Sequence, residues 1–503
     1  MKRIISVVLC LVTVLSLASC AGAMKNEADG GAMMPEINGS FDMTTNNSED
    51  GYENGIVENP FINTSEEPIS TFSADVDTAS YSYFRKLVNS GYRLDELIAT
   101  AGANIRTEEM INYFDYSYAT PGENELFGVS AKIVPCPWNE DARLMMLGLA
   151  TEATEPKANN NLVFLVDVSG SMSASDKLPL LQSTFSYLVD QLDEGDRVSI
   201  VTYAGKEKVV LEGCEGNKKD KIMKAINSLD AKGSTNGEAG LEMAYQIAER
   251  FYIEGGNNRI IMASDGDLNV GISSAEELKN YVSEKKNMGV YLSVLGFGTG
   301  NYKDSQMEAI ADNGNGVYYY IDSEKEAEKI FGEDIFSTLY TVAKNVKLQL
   351  RFNEAAVESY RLVGYENRLL NNEDYLDDTK DAGEIGAGHT VTVCYELIMK
   401  EGTDEAFDVA ELGVRYMKPD SDKSEEQTFA ITSAYIKDEA DDEARFICAV
   451  IETSMILHKS KYIGSITLDK VCEELSTISV GSDEYKAEFV ALIAKLCGNS
   501  EKV

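Results

Sequence analysis

Three short stretches of oxygen-bearing side chains have the composition of a hard-cation site. Asp167-Val168-Ser169-Gly170-Ser171 offers one carboxylate and two hydroxyls at alternate positions. Gly233-Ser234-Thr235-Asn236-Gly237 adds the hydroxyl of Thr235, and Ser264-Asp265-Gly266-Asp267 adds the carboxylate of Asp265. Asp167, Ser169, Ser171, Thr235 and Asp265 present oxygen only, which suits Mg2+, Mn2+ or Ca2+ rather than zinc or copper. Neutral hydroxyls with two carboxylates do not saturate such an ion, so one position is left for an external carboxylate. His389 and His458 are the only histidines, which excludes a histidine-rich centre. Helix capping competes for the same residues, because Ser, Thr and Asp all serve as N-caps; Ser171 or Asn236 can do both jobs.

For the three stretches to meet, they must lie at one edge of one sheet. Residues 161–166 form a nearly continuous apolar run, expected of a strand buried on both faces. Beyond it, helix and strand alternate: helix 177–192, strands 197–203 and 208–211, helices 220–229 and 238–252, strand 259–263, helix 275–287, strand 290–297, helix 305–311, strand 316–321 and a closing helix 324–343. The pattern predicts an α/β domain over 159–343, a doubly wound, mostly parallel sheet of Rossmann-like type. Such sheets bind ligands outside the carboxyl ends of their strands, where Asp167 and Asp265 fall.

A mixed α/β region, 67–150, precedes this domain, with helices starting at Asp77 and Arg106 and strands at 129–134 and 144–149. A β-rich domain, 345–503, follows it, with strands at 346–352, 390–399, 409–417 and 427–436 and a helical tail at 442–458 and 483–497. The strands within 129–149 are candidates to complete the sheet of that last domain, which would make the α/β domain an insertion.

The first twenty residues read as an export signal: Lys2 and Arg3, then an apolar stretch at 4–17, then Leu17-Ala18-Ser19-Cys20. The apolar stretch is too short to span a bilayer. Its ending resembles the lipobox of bacterial lipoproteins, which implies lipid attachment at Cys20 and an anchor on the extracytoplasmic face of the cell membrane; an ordinary cleaved signal is the alternative. Residues 21–66 lack periodicity and read as a disordered tether. Cys136, Cys214, Cys394, Cys448, Cys472 and Cys497 are scattered without a Cys-x-x-Cys pair, which fits free buried thiols better than a disulfide framework or a zinc pattern. Lys and Arg total 45 against 84 Asp and Glu, a net charge of −39, which excludes nucleic acid as a partner.

Asp167, Ser169, Ser171, Thr235 and Asp265 resemble, at all five positions, the metal-ion-dependent adhesion site of von Willebrand factor A domains. The resemblance implies that the serines and the threonine contact the metal, while the aspartates bind it directly or through water. The flanks resemble the YfbK-like bacterial lipoproteins through Thr71-Phe72-Ser73-Ala74-Asp75-Val76-Asp77-Thr78-Ala79-Ser80-Tyr81, Glu108-Glu109-Met110-Ile111-Asn112-Tyr113-Phe114 and Arg361-Leu362-Val363-Gly364-Tyr365-Glu366-Asn367-Arg368. Asp381-Ala382-Gly383-Glu384-Ile385-Gly386-Ala387-Gly388-His389 belongs with them.

These features predict a lipid-anchored binding protein that grips an Asp or Glu of a protein ligand through the cation. The alternatives are a metal-assisted hydrolase, which lacks a recognisable base apart from Asp265 and Asp267, and an envelope protein in which metal only stabilises loops. Other polar groups have plainer readings: Asp75 and Asp77 as helix caps, Gly296-Phe297-Gly298-Thr299-Gly300 and His389 as turns, and 438–443 as a solvated loop and helix start.

Overall fold

A computed structural model describes residues 56–500, apart from 75–76, 154–157, 205–206, 233–237, 267–274, 287, 299–303, 401–405, 420 and 422. The expected signal segment, Cys20, most of the tether, Asp75, Thr235 and Asp267 lie outside the described residues.

The N-terminal part runs β1 (Ile62–Asn63), β2 (Ile69–Ser73), α1 (Ala79–Asn89), α2 (Leu94–Thr100), α3 (Thr107–Asn112), β3 (Gly128–Pro135) and β4 (Ala142–Ala150). The α/β domain follows with β5 (Asn160–Asp167), α4 (Leu178–Asp190), β6 (Arg197–Tyr203), β7 (Lys208–Glu215), α5 (Lys219–Ile226), α6 (Glu238–Arg250) and β8 (Asn257–Ser264). It continues through α7 (Ala275–Lys286), β9 (Tyr291–Phe297), α8 (Asp304–Asn313), β10 (Tyr318–Ile321), α9 (Glu324–Glu328) and α10 (Ile335–Leu339). The C-terminal part is β11 (Thr341–Phe352), β12 (Val357–Val363), β13 (Gly383–Gly386), β14 (Thr390–Met399), β15 (Asp408–Met417), β16 (Ser424–Thr432), α11 (Asp442–Leu457), α12 (Leu468–Thr477) and α13 (Glu484–Ser500).

The central sheet has the order β10-β9-β8-β5-β6-β7, parallel except for the β6–β7 pair. Every residue of β5 and β8 is buried, as the apolar run at 161–166 requires of strands covered on both sides. The side chains of β5 divide by parity. Val163 and Leu165 pack with Leu241 and Tyr245 of α6, Leu278 and Val282 of α7 and Met307 of α8. Leu162, Phe164 and Val166 pack with Leu181, Phe185 and Leu188 of α4 and Ile222 and Ile226 of α5. Helices therefore cover both faces, and the doubly wound α/β fold is as expected.

The flanking segments do not form separate layers of their own. β4 pairs with β14 from Ala142↔Ile398 to Ala150↔Thr390, within the antiparallel sheet β1-β12-β14-β4-β3. β2 pairs with β11 in a second sheet that also contains β13, β15 and β16. Leu348, Leu350 and Phe352 of β11 share a core with Met145, Leu147, Tyr360, Val393 and Tyr395, and Phe352 stacks on Tyr360 at 4.1 Å. The α/β domain is thus inserted in sequence between β4 and β11, two strands of these flanking sheets. Helices α11 and α13 close on α1 and α3 through Tyr81, Phe114, Phe446 and Phe489. Among the described residues no helix is long and apolar enough to cross a membrane.

Several expectations are corrected. The tether was expected to reach residue 66, yet 56–66 belong to the fold. Asn59 donates to the carbonyls of Leu362 and Gly364, Thr64 donates to Val357 O, and β1 pairs with β12. These polar side chains satisfy backbone groups of a distant strand, which composition does not register. The helix expected over 324–343 is interrupted by a π-helical turn at Lys329–Glu333 and ends at Leu339. There the Asp334 N–H donates to Lys329 O and the Lys329 ammonium meets Asp334 at 2.5 Å. Thr341 and Ala343 are already paired with β13, so ladder bonds replace the helix. The N-cap position of α1 is Thr78, without a side-chain cap bond, while Asp77 accepts the Tyr318 N–H at 3.0 Å and faces Arg368.

Candidate metal centre at the strand ends

β5 and β8 run side by side with Val166 opposite Ala263, so Asp167 and Asp265 emerge from neighbouring strands at the same edge. Asp167, Ser169 and Asp265 are buried, while Gly170 and Ser171 are exposed. Asp167 Oδ1 accepts the Ser169 N–H at 2.7 Å, a local bond that turns the chain sharply out of the strand. The hydroxyls of Ser169 and Ser171 lie 2.8 Å apart. Neither serine makes a side-chain cap to the short 3-10 helix Gly170–Ser173 or to α4, so capping does not explain them. They face each other instead, as two donors to a common centre would. Lys232 donates its N–H to Val168 O and so brings the chain just before the Thr235 segment against the same turn.

Asp265 is fully buried, and its two oxygens differ. Oδ2 accepts from the Lys177 ammonium at 2.7 Å, whereas Oδ1 has no hydrogen-bond partner among the described residues. A buried carboxylate oxygen left unpaired calls for a compensating charge or donor. Together with the paired hydroxyls, it makes an all-oxygen donor set that fits a hard divalent cation. Among the described residues there is no cluster of three or more His, Cys, Asp or Glu side chains able to hold a metal. The site rests on hydroxyls joined to two carboxylates. The structure thus places Asp167, Ser169, Ser171 and Asp265 at one edge, and Thr235 is outside what it describes.

Sequence reasoning overlooked Lys177. At the entry to α4 it looked like an ordinary helix-start residue, and its partner is 88 positions away. Its stem crosses Gly298, where a Cβ would come within 2.3 Å of Lys177 Cε. Gly298 has φ +75° and its carbonyl accepts the Tyr320 hydroxyl at 2.9 Å. Flanking helix α1 backs this corner: Lys86 pairs with Asp176 at 3.1 Å, and Tyr83 packs edge-on against Tyr320. The glycines at 296–300 serve close approach at this turn; Thr299 and Gly300 are not described. His389 stays in a turn, its N–H bonded to Thr151 Oγ1 after Gly388 at φ +77°. Asp441 caps α11 by accepting from Ala444 N. All six described cysteines are free thiols.

Family models match most of the chain. Residues 161–333 match the model of the von Willebrand factor type A domain, 46–146 a von Willebrand factor model, and 337–497 the model of the YfbK C-terminal region. The chain is 37% identical over 464 residues to the uncharacterized protein YfbK of Escherichia coli K12, an alignment covering 87% of this chain and 79% of that one. Human inter-alpha-trypsin inhibitor heavy chain H3 is 26% identical over 49% of this chain, which spans 29% of its length. A solved von Willebrand factor type A structure from Catenulispora acidiphila aligns with a TM-score of 0.40 at 15% identity, over 67% of this chain and 80% of that one. The chain belongs to the YfbK family and carries, between its flanking strands, a von Willebrand factor type A domain.

Proposed function

We propose that this protein is a lipid-anchored, extracytoplasmic binding protein that captures an Asp or Glu carboxylate of a partner protein through a divalent cation. Asp167, Ser169, Ser171, Thr235 and Asp265 are the residues that would hold Mg2+, Mn2+ or Ca2+. Such an ion supplies a Lewis-acidic position for one external carboxylate oxygen. The observation that carries this reading is the unpaired, buried Oδ1 of Asp265 at the same sheet edge as the facing hydroxyls of Ser169 and Ser171. Asp167 keeps those hydroxyls in place by holding the Ser169 N–H, and Ser171 is exposed, as contact with a protein ligand requires.

The overall charge of −39 repels an acidic partner, so capture of a carboxylate depends on the cation. Binding is favoured over hydrolysis because Asp265, the described candidate base at these strand ends, is already paired with Lys177. A lipid on Cys20 would tether the chain to the cell membrane.

The test is a pull-down from envelope extracts with immobilised full chain in Mg2+ and in EDTA, beside Asp167→Ala. A partner retained by the wild type in Mg2+ and lost with EDTA or the variant is expected. Equal retention under all conditions would overturn the reading.

A further inference from the structure

The Lys177–Asp265 pair carries an inference about how the proposed metal site is poised, and it rests on that reading of the site. Asp265 shows no side-chain exposure and Lys177 only 13%, so both charges have left most of their water. Such a pair persists only when geometry is good, because each partner would otherwise be a stranded charge. Here the geometry is built from three connections: the turn entering α4 carries Lys177, the end of β8 carries Asp265, and Gly298 after β9 yields the space for the lysine stem. Tyr320 fixes that last turn through the Gly298 carbonyl. The ammonium therefore occupies a formed socket and binds one oxygen of Asp265 while leaving the other unpaired.

We propose that Lys177 is the resident counter-charge of the site: its ammonium neutralises Asp265 and holds divalent-cation affinity down. With Lys177 in place, Asp167 and Asp265 present one net negative charge rather than two, and a dication arriving at the edge meets a fixed positive charge within a few ångströms. At an effective dielectric of about 20, one unit charge about 5 Å away would shift a dication's Kd by roughly five orders of magnitude; next to solvent and salt, where the dielectric approaches that of water, the shift falls to about 10–100-fold. The same pairing keeps Asp265 compensated when no cation is present, so the strand ends stay assembled. An undercompensated ion also retains more attraction for an external carboxylate, which links Lys177 to partner capture.

The experiment is calorimetric titration of the full chain with Mg2+, using wild type, Lys177→Met, Lys177→Gln and Lys177→Arg, with thermal melts in EDTA and in Mg2+. The two neutral variants are expected to bind Mg2+ about 10–100-fold more tightly than wild type, and Lys177→Arg within about threefold of it. In EDTA the neutral variants should melt below wild type, and Mg2+ should raise their melting temperatures by more. A purely structural lysine would give lower stability with equal or weaker Mg2+ binding, and that result overturns the proposal while leaving the metal site intact. If no form of the chain binds Mg2+, Mn2+ or Ca2+, the metal reading and this inference fall together.

Discussion

Replacing Arg85 by Met should unseat the type A domain from its flanking helices. Arg85, on α1, is buried, and its guanidinium reaches across to the domain. It donates to both oxygens of Asp322, through Nε at 2.9 Å and through Nη2, and from Nη2 to Glu326 Oε2 at 2.6 Å. Nη1 donates to the Tyr113 hydroxyl at 2.7 Å and to Glu488 of α13 at 3.1 Å. Asp322 and Glu326 are 4% and 1% exposed, so removing the cation strands two carboxylates in a dry setting. Burial already pushes the Glu326 carboxyl above its ordinary range, with Arg85 pulling the other way. Breaking such a buried pair costs about 3–5 kcal/mol, while the Glu488 contact, 25% exposed on the acid's side, adds at most about 1 kcal/mol. Urea unfolding of the full chain, followed by circular dichroism, reads this loss. Adding Glu326→Gln removes one stranded charge, so the double variant should lose less than the sum of the single variants by about 2 kcal/mol. A loss under about 1 kcal/mol for Arg85→Met, or strictly additive losses, would show that Arg85 does not hold these carboxylates in the fold.

Glu452 of α11 is 4% exposed, and burial beside Glu474 raises its carboxyl from 4.5 to about 7. A raised acid favours the fold below its unfolded value and loses that benefit as pH rises through the folded value. Wild type should therefore lose up to about 3 kcal/mol between pH 4.5 and pH 7 that Glu452→Gln retains, measured as diverging urea midpoints. Gly298→Ala places a Cβ against the Lys177 stem at φ +75°, and should lower stability by about 1–3 kcal/mol in a denaturant titration.

What the sequence made legible was whatever depends on short-range pattern. The unbroken apolar run of β5 announced a strand covered on both faces, and the alternation after it identified the doubly wound sheet. The hydroxyl and carboxylate spacing at 167–171, with Asp265 at the end of β8, marked the edge where the structure places them. Pattern failed where distant pairing decides the outcome. β12, β13, α2 and α12 escaped notice because their turns and partners carry no strong local signal. β11 begins at Thr341 rather than inside a helix because β13 pairs with it there. Residues 56–66 look like linker, yet Asn59 and Thr64 are tied to a strand some 300 positions on. Lys177 is the same lesson at the site itself. A lysine at a helix entrance is common, and only the fold brings it to Asp265.

The proposed function stands or falls on one hard cation held by hydroxyl and carboxylate oxygens at the ends of β5 and β8. Electron paramagnetic resonance of Mn2+ added to the full chain counts that ion directly, in wild type and in a variant carrying Ser169→Ala and Ser171→Ala. One tightly held Mn2+ per wild-type chain, lost in the variant with unchanged circular dichroism and displaced by excess Mg2+, is the expected result. Equal Mn2+ binding by the variant, or none by the wild type, would contradict it.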